Sequence, residues 1–387
     1  FTLLNADFYI IKTEEIAECQ TWKDFSLTPG APPAEQYYQL ENEIYLNGMV
    51  RVAINGFGRI GRLAARIVLT KFNNQIELVA INTSGSMDTA GWAHLLMNDT
   101  TYRKFEIEVK AEGESLVVPS MGLKIPVLAQ KDPELLPWSQ YGVEVVMECT
   151  GKFTDEIGAL KHAKAGAKKV IISAPHRGGN VGTFVLGVNK ADGKAEVISN
   201  ASCTTNCVTP VAAVMQAKFG IKKAMMTTVH AYTDDQVLQD GSHKDLRRAR
   251  AAAANIVPTS TGAAIATTEV IPELKGLFDG ISLRVPVLTG SITDFVIVTK
   301  RQVTREEVNQ AFVEAASEPR YKGILGVSNE HLVSSDIIGS SYSAIVDPEF
   351  TQVIDGDLVK VLAWYDNEWG YANRLVEQTI IFGQETK

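Results

Sequence analysis

Cysteine is scarce in this chain: four in 387 residues, at Cys19, Cys149, Cys203 and Cys207. They are too few and too scattered for a disulfide framework, which points to a reducing compartment. Hydrophobic residues make up 45% of the sequence, enough for a substantial core. No apolar run, however, approaches the roughly 20 residues of a membrane-spanning helix. Positive charge is in deficit, with 37 lysines and arginines against 45 acids and a formal charge of −8. General nucleic-acid binding is therefore disfavoured, because phosphate neutralisation needs a basic face. Internal repeats and low-complexity runs are absent, and the first seven residues lack the basic region and apolar block of a secretory signal. The expectation is a cytoplasmic protein with no nucleic-acid partner and no membrane partner, of a length that suggests two domains.

Residues 1–48 differ in texture from the rest of the chain. Aromatics and acids mix with the breaker-rich stretch from Thr28 to Pro33, which reads as a linker or loop. The chain opens on Phe1, while Met49 stands immediately before the first clear strand. An appendage and translated upstream sequence are both open readings, and neither carries a function.

From Val50 the pattern sharpens. Residues 50–54 form a short apolar strand, followed by Asn55-Gly56-Phe57-Gly58-Arg59-Ile60-Gly61 and a helix-like run from Arg62. Gly56, Gly58 and Gly61 match the G-x-G-x-x-G spacing between a strand and a helix. Such glycines permit a tight turn, close approach of backbone to a pyrophosphate and close helix packing, with the helix N-terminus facing the anion. The alternative is an ordinary glycine-rich turn, but a second strand over residues 76–82 completes a βαβ unit and favours dinucleotide binding. That strand ends at Thr83, where an acid would bind ribose hydroxyls and repel a 2′-phosphate. With Thr83-Ser84-Gly85-Ser86 in its place, either a phosphorylated dinucleotide is tolerated or the unphosphorylated one binds more weakly. Strand and helix continue to alternate through residue 175, which signals a parallel sheet. The lysines at 161, 164, 168 and 169 read as a solvated helix face.

Cys203 sits in Ser199-Asn200-Ala201-Ser202-Cys203-Thr204-Thr205-Asn206, between a β-rich run and an apolar helix. At a helix N-terminus, unpaired N–H groups and the dipole favour a thiolate and lower the cysteine pKa. A buried small hydrophobe is the bland alternative, and the polar neighbours argue against it. Beyond Cys203 the strands lengthen and alternate as in an antiparallel sheet. His230 ends one of them; alone it would be an ordinary surface histidine, and beside a thiolate it is the natural proton acceptor and donor. The stretch 239–250 carries Arg247, Arg248 and Arg250, suited to nucleic acid, a subunit contact or an anion, the first disfavoured by the acidic balance. Thr259-Ser260-Thr261-Gly262-Ala263 suits a phosphate. Arg284, on a strand, suits either a phosphate or a structural ion pair.

This set would serve oxidation of a phosphorylated aldehyde. From about Val50 to Thr379 the sequence resembles the phosphorylating glyceraldehyde-3-phosphate dehydrogenases, through INGFGRIGR (Ile54 to Arg62), SNASCTTNC (Ser199 to Cys207), HAYTDDQ (His230 to Gln236), HKDLRRARAA (His243 to Ala252) and WYDNEWGY (Trp364 to Tyr371). The resemblance implies an α/β plus α+β protein: a Rossmann-type NAD(P)-binding domain over 49–202, completed by a C-terminal helix over 368–387, and a catalytic domain over 203–367 built on a mainly antiparallel sheet. It implies that Cys203 attacks the aldehyde while His230 takes the proton, and that inorganic phosphate cleaves the resulting thioester. Thr233 and Arg284 would bind the substrate phosphate, and Ser202, Thr204, Thr261 and Gly262 the attacking phosphate, with Arg250 nearby. Asn55, Gly56, Gly58, Arg59, Ile60, Gly61, Thr83, Lys131, Thr150, Ser173, Ser242, Asn367 and Tyr371 would surround the cofactor. No metal is implied. A glycolytic or gluconeogenic homotetramer is, with the 239–250 loop against a neighbour's cofactor pocket.

Four departures from the family pattern stand out. Thr83 replaces a usual Asp and Gly241-Ser242 a usual Leu-Pro, both easing entry of a 2′-phosphate, so NADP use, dual or preferred, is expected. Ile265 replaces a frequent Lys, and Cys149 a common Ser. Two rivals remain: an erythrose-4-phosphate dehydrogenase, in which water resolves the acyl enzyme, and a non-catalytic scaffold or RNA-binding member. The second predicts loss of Cys203, His230 or Arg284, and all three are present.

Overall fold

The structure, a computed structural model, describes residues 48–191 and 193–385. The extension before Gly48 lies outside the described residues.

Apart from Arg51, residues 50–54 are apolar without alternation and end up covered on both faces, as strands of a parallel sheet are. They form the strand Val50–Asn55 in the middle of a nine-stranded sheet. In order across the sheet the strands are Gly182–Thr183, Val197–Ser199, Lys169–Ile172, Val145–Glu148, Val50–Asn55, Ile76–Asn82, Leu123–Leu128, Ser115–Val118 and Lys110–Glu112. The first seven pair in parallel and the last two fold back as antiparallel hairpins. Helices Arg59–Lys71 and Glu156–Lys164 supply crossovers. Helix Trp369–Gln384 returns to this sheet: Ala372, Leu375, Val376, Ile380 and Phe382 join Val50, Val52 and Ile54 in one apolar cluster.

The second sheet has seven strands, in the order Val257–Ser260, Phe278–Val285, Ile221–Ala231, Ser291–Thr299, Leu358–Tyr365, Ala344–Ile354 and Leu325–Val327. It is mainly antiparallel, with parallel pairing at two of its junctions. Alternating burial along Ser291–Thr299 comes from having one face covered, here by helices Cys203–Phe219, Ala263–Val270 and Arg305–Ser317.

Two glycines explain how the first strand hands over to its helix. Gly56 has φ +98°, and a Cβ there would lie 2.7 Å from Thr150 N; a Cβ at Gly61 would lie 2.1 Å from Gly56 O. Both positions exclude any larger residue.

Candidate active site

Cys203 is the first residue of its helix, and Ser202 is the N-cap, its Oγ accepting from Thr205 N at 3.0 Å. Ala201, just before, holds φ +55°, a conformation costly for a residue with a Cβ. Cys203 Sγ lies 3.4 Å from His230 Nε2, within hydrogen-bond reach for sulfur. His230 arrives on the strand Ile221–Ala231, in register with Arg284 on the parallel neighbour. Arg284 Nη1 is consequently 2.6 Å from His230 Nδ1, and the same nitrogen is 2.6 Å from Ala231 O. These contacts exclude each other for one tautomer. If Nδ1 donates to Ala231 O, Nε2 is left to accept the thiol proton; if Nδ1 accepts from Arg284, Nε2 carries a hydrogen toward the sulfur.

The expected lowering of the Cys203 pKa is not what the site gives. Burial raises the thiol, opposed by the Arg284 charge and the Thr204 hydroxyl. Burial, helped by Arg284, lowers His230 from 6.5 to about 3. Both shifts favour a thiol beside a neutral imidazole over an ion pair, because desolvation penalises each charged form. The helix N-terminus is legible in the local sequence, whereas the burial is set by tertiary packing.

Tyr365 was not singled out from the sequence. Its hydroxyl bridges Thr204 Oγ1 at 3.0 Å and Thr228 Oγ1 at 2.8 Å, and its ring meets the His230 ring edge-on at 6.0 Å. Thr204 Oγ1 stands 4.0 Å from Sγ. Thr261 Oγ1 accepts from Ala263 N at 3.2 Å and Gly262 caps that helix. This helix packs beside the Cys203 helix through Thr209 and Thr267, their hydroxyls 3.1 Å apart. Thr233 Oγ1 donates to Asp235. Arg248, one of the three arginines of the 239–250 stretch, ties Asp235 to Thr259: Nη1 donates to Asp235, and Nε (3.0 Å) and Nη2 (2.6 Å) fork to Thr259 Oγ1. Arg250 is not drawn in: it is exposed and paired with Asp240 at 2.8 Å, and among the described residues no contact joins it to Cys203, His230 or Arg284. Ser242 is exposed on the same segment, and Ile265 is exposed on its helix.

Of the residues expected around a dinucleotide, Asn55, Thr83, Thr150 and Ser173 lie at or just past the carboxyl ends of first-sheet strands. Gly58 caps the Arg59–Lys71 helix without a side chain, and among the described residues a Cβ there would meet nothing within 4 Å beyond its own chain neighbours, so the space above the helix N-terminus, with Ile60 in its first turn, is open to an anion. Arg59 spends its guanidinium on two carboxylates, Glu368 at 2.7 Å from Nε and Asp99 at 2.6 Å from Nη1, leaving its backbone N–H for a ligand. Thr150 donates both N–H and hydroxyl to Glu148, and Ser173 N donates to Glu148 O. Lys131 is exposed. Cys149 is partly buried and its thiol is pushed up to about 12 by burial. Asn367 Oδ1 accepts from Gly290 N (3.1 Å), Ser291 Oγ (2.9 Å) and Thr289 Oγ1 (3.3 Å), which orients the amide and leaves its N–H₂ as the unused end. Tyr371 donates to Ala201 O at 3.0 Å, joining the last helix to the approach to Cys203. The Thr83 hydroxyl is engaged within the fold: it donates to Leu128 O at 2.9 Å and accepts from Gly85 N at 3.3 Å. Among the described residues no group of three or more His, Cys, Asp or Glu could hold a metal, and no helix is long and apolar enough to cross a membrane.

A glycine-loop dinucleotide fold joined to a sheet that presents a cysteine–histidine pair defines a cysteine-dependent dehydrogenase architecture. Residues 50–156 match the family model "Glyceraldehyde 3-phosphate dehydrogenase, NAD binding domain", and residues 202–367 match the model of the C-terminal domain. The chain is 52% identical over 339 residues to glyceraldehyde-3-phosphate dehydrogenase of Streptomyces coelicolor, covering 87% of this chain and 99% of that one. It is 50% identical over 330 residues to the Zymomonas mobilis enzyme of that name, covering 85% and 97%. Identity is also 50% over 330 residues to the chloroplastic glyceraldehyde-3-phosphate dehydrogenase A of Chlamydomonas reinhardtii, covering 85% and 87%. The chain belongs to the glyceraldehyde-3-phosphate dehydrogenase family.

Proposed function

We propose that the protein catalyses the reversible oxidative phosphorylation of D-glyceraldehyde 3-phosphate to 1,3-bisphosphoglycerate with NAD or NADP. The observation that carries the reading is the 3.4 Å approach of Cys203 Sγ to His230 Nε2. Cys203 attacks the aldehyde carbon, and its thiol proton passes to His230, so the buried pair never holds an isolated charge. The alkoxide of the hemithioacetal then takes a proton from the imidazolium, and His230 is again the base when that hydroxyl is oxidised. When bound, the nicotinamide supplies the hydride acceptor that converts hemithioacetal into thioester. Inorganic phosphate attacks the thioester carbon, the thiolate leaves, and the acyl phosphate is released.

Arg284 and Thr233 hold the substrate's phosphate; Ser202, Thr204, Thr261 and Gly262 hold the attacking one. If Arg284 leaves His230 Nδ1 on taking that phosphate, the tautomer in which Nδ1 donates to Ala231 O and Nε2 is the base is selected. Asn55, Gly56, Gly58, the backbone of Arg59, Ile60 and Gly61 hold the dinucleotide's pyrophosphate half, with Thr83, Lys131, Thr150 and Ser173 around its ribose and adenine side. Asn367 and Tyr371 face its nicotinamide. Ser84, Ser86 and Lys131 are the exposed donors left for a 2′-phosphate, joined by Ser242 from a neighbouring copy. The protein acts as a cytoplasmic homotetramer. Leu238, just before the 239–250 segment, and Leu246 within it, each 82% exposed, support a covering partner there. Net charge of −8 supports leaving nucleic acid out of the scheme.

The test is turnover of glyceraldehyde 3-phosphate with each dinucleotide, with and without inorganic phosphate. Phosphate-dependent reduction of either dinucleotide, abolished by stoichiometric iodoacetate labelling of Cys203, is expected. Rates indifferent to phosphate would move the assignment to a hydrolytic relative.

A further inference from the structure

The loops assigned to the dinucleotide leave the first sheet from adjacent strand ends, and the residues at those ends are tied together below them. Asn55, Asn82 and Glu148 close three neighbouring strands and stand immediately before Gly56, Thr83 and Cys149-Thr150. Asn82 Nδ2 donates to Asn55 Oδ1 at 2.6 Å, and Asn55 Nδ2 donates to Glu148 Oε2 at 2.5 Å. The other Glu148 oxygen accepts from Thr150 N at 2.8 Å and from the Thr150 hydroxyl. Glu148 is 1% exposed, and among the described residues it has no lysine or arginine partner. Its carboxylate depends on converging hydrogen bonds.

One more donor reaches the oxygen that Asn55 already holds. His162, fully buried on helix Glu156–Lys164, places Nε2 3.1 Å from Glu148 Oε2. Trp138 Nε1, which can only donate, reaches His162 Nδ1 at 2.9 Å. With Nδ1 accepting, the ring hydrogen sits on Nε2 and points at Glu148. Asn55 Nδ2 and His162 Nε2, 3.3 Å apart, are then two donors sharing one carboxylate oxygen.

We infer that His162 and Trp138 are positioning residues for the dinucleotide: Trp138 sets the His162 tautomer, His162 holds Glu148, and Glu148 fixes the spacing between the Gly56 and Thr150 loops. That spacing leaves no slack, since a Cβ at Gly56 would lie 2.7 Å from Thr150 N. Neither residue is among those placed around the cofactor or the reacting atoms. The inference rests on the dinucleotide reading above and deepens it.

The experiment titrates NAD and NADP into the full-length wild type, His162→Leu, His162→Gln and Trp138→Phe, and measures kcat at saturating dinucleotide. In His162→Leu a buried carboxylate loses a donor, and Kd for both dinucleotides rises on the order of 10-fold. His162→Gln, whose amide can accept from Trp138 and donate to Glu148, binds nearly as wild type. Trp138→Phe falls between. Throughout, kcat and KM for the aldehyde stay within about twofold of wild type. A lower melting temperature with unchanged Kd in His162→Leu makes the network merely structural and overturns the inference, as does a fall in kcat without a change in Kd. Should His162→Leu fail to fold, Trp138→Phe decides, and unaltered affinity there is equally fatal. A wild type that binds neither dinucleotide sinks the dehydrogenase reading and this inference with it; a wild type that binds, with variants that bind as tightly, removes only the positioning role.

Discussion

His230 and Arg284 are paired residues on adjacent parallel strands, and Arg284 Nη1 lies 2.6 Å from His230 Nδ1. The guanidinium therefore acts on both members of the candidate catalytic pair. It lowers the Cys203 thiol against the burial that raises it, and adds to the burial that lowers His230. Removing it raises both. In Arg284→Leu the rate of Cys203 alkylation by uncharged iodoacetamide, measured against pH in the protein without dinucleotide, moves to higher pH. With the proposed partner of the substrate phosphate gone as well, kcat/KM falls on the order of 10²-fold or more. An alkylation profile displaced toward lower pH would contradict the electrostatic account.

His230 itself has two separable consequences. As the proposed proton carrier, its replacement by Asn lowers kcat by about 10²- to 10⁴-fold with little change in KM for the dinucleotide. As a buried base with its pKa lowered from 6.5 to about 3, it takes up a proton in the unfolded chain over a range where the native protein refuses it. The unfolded state binds more protons there, so stability decreases as pH falls from about 6.5 toward 3. Urea unfolding at a series of pH values checks this. His230→Asn loses less stability across that window than wild type, and equal losses would show that His230 does not titrate as its burial requires.

What could be read from the sequence was what short spacings encode. Gly56, Gly58 and Gly61 announce a strand-to-helix turn because three glycines at that spacing answer a local steric need. Cys203 and its polar neighbours announce a helix start because capping is local as well. The contact of His230 with Arg284 depends on the register of strands whose paired residues are 54 positions apart, which no local pattern specifies. Tyr365 lay inside a noted motif, but its place under Cys203 depends on the Leu358–Tyr365 strand and the Cys203 helix meeting face to face. The pKa of Cys203 failed for the same reason: the helix end can be read, the burial is tertiary. Thr83 shows the limit most plainly, since its hydroxyl belongs to a carbonyl on a neighbouring strand, 45 residues away.

Ser202 combines an N-cap with a proposed phosphate contact, which one substitution can divide. Its Oγ accepts from Thr205 N at 3.0 Å and lies 2.7 Å from Thr205 Oγ1. Ser202→Ala removes an N-cap, which lowers stability by about 1 kcal/mol. It also raises KM for inorganic phosphate. Ser202→Asp restores the cap, but its charge opposes a phosphate. Thermal unfolding and phosphate-dependent kinetics of the two variants should diverge: Asp recovers the melting temperature and worsens KM further. Recovery of both by Asp would remove Ser202 from the phosphate site.

Thr83 decides between two explanations of NADP use, one resting on its hydroxyl and one on the absence of a carboxylate. The hydroxyl donates to Leu128 O at 2.9 Å and accepts from Gly85 N at 3.3 Å, which leaves it no part in binding a phosphate. Thr83→Val keeps the branched shape and loses those bonds, so it changes NAD and NADP kinetics together and leaves their ratio unaltered. Thr83→Asp places a negative charge where the 2′-phosphate would lie and offers an acceptor to free ribose hydroxyls. The ratio of kcat/KM for NADP to that for NAD then falls roughly 10- to 100-fold, the effect of about 1–3 kcal/mol of repulsion. Should Thr83→Val alone abolish NADP use, the hydroxyl must leave Leu128 when the dinucleotide binds, and the strand end would have to rearrange rather than simply receive it.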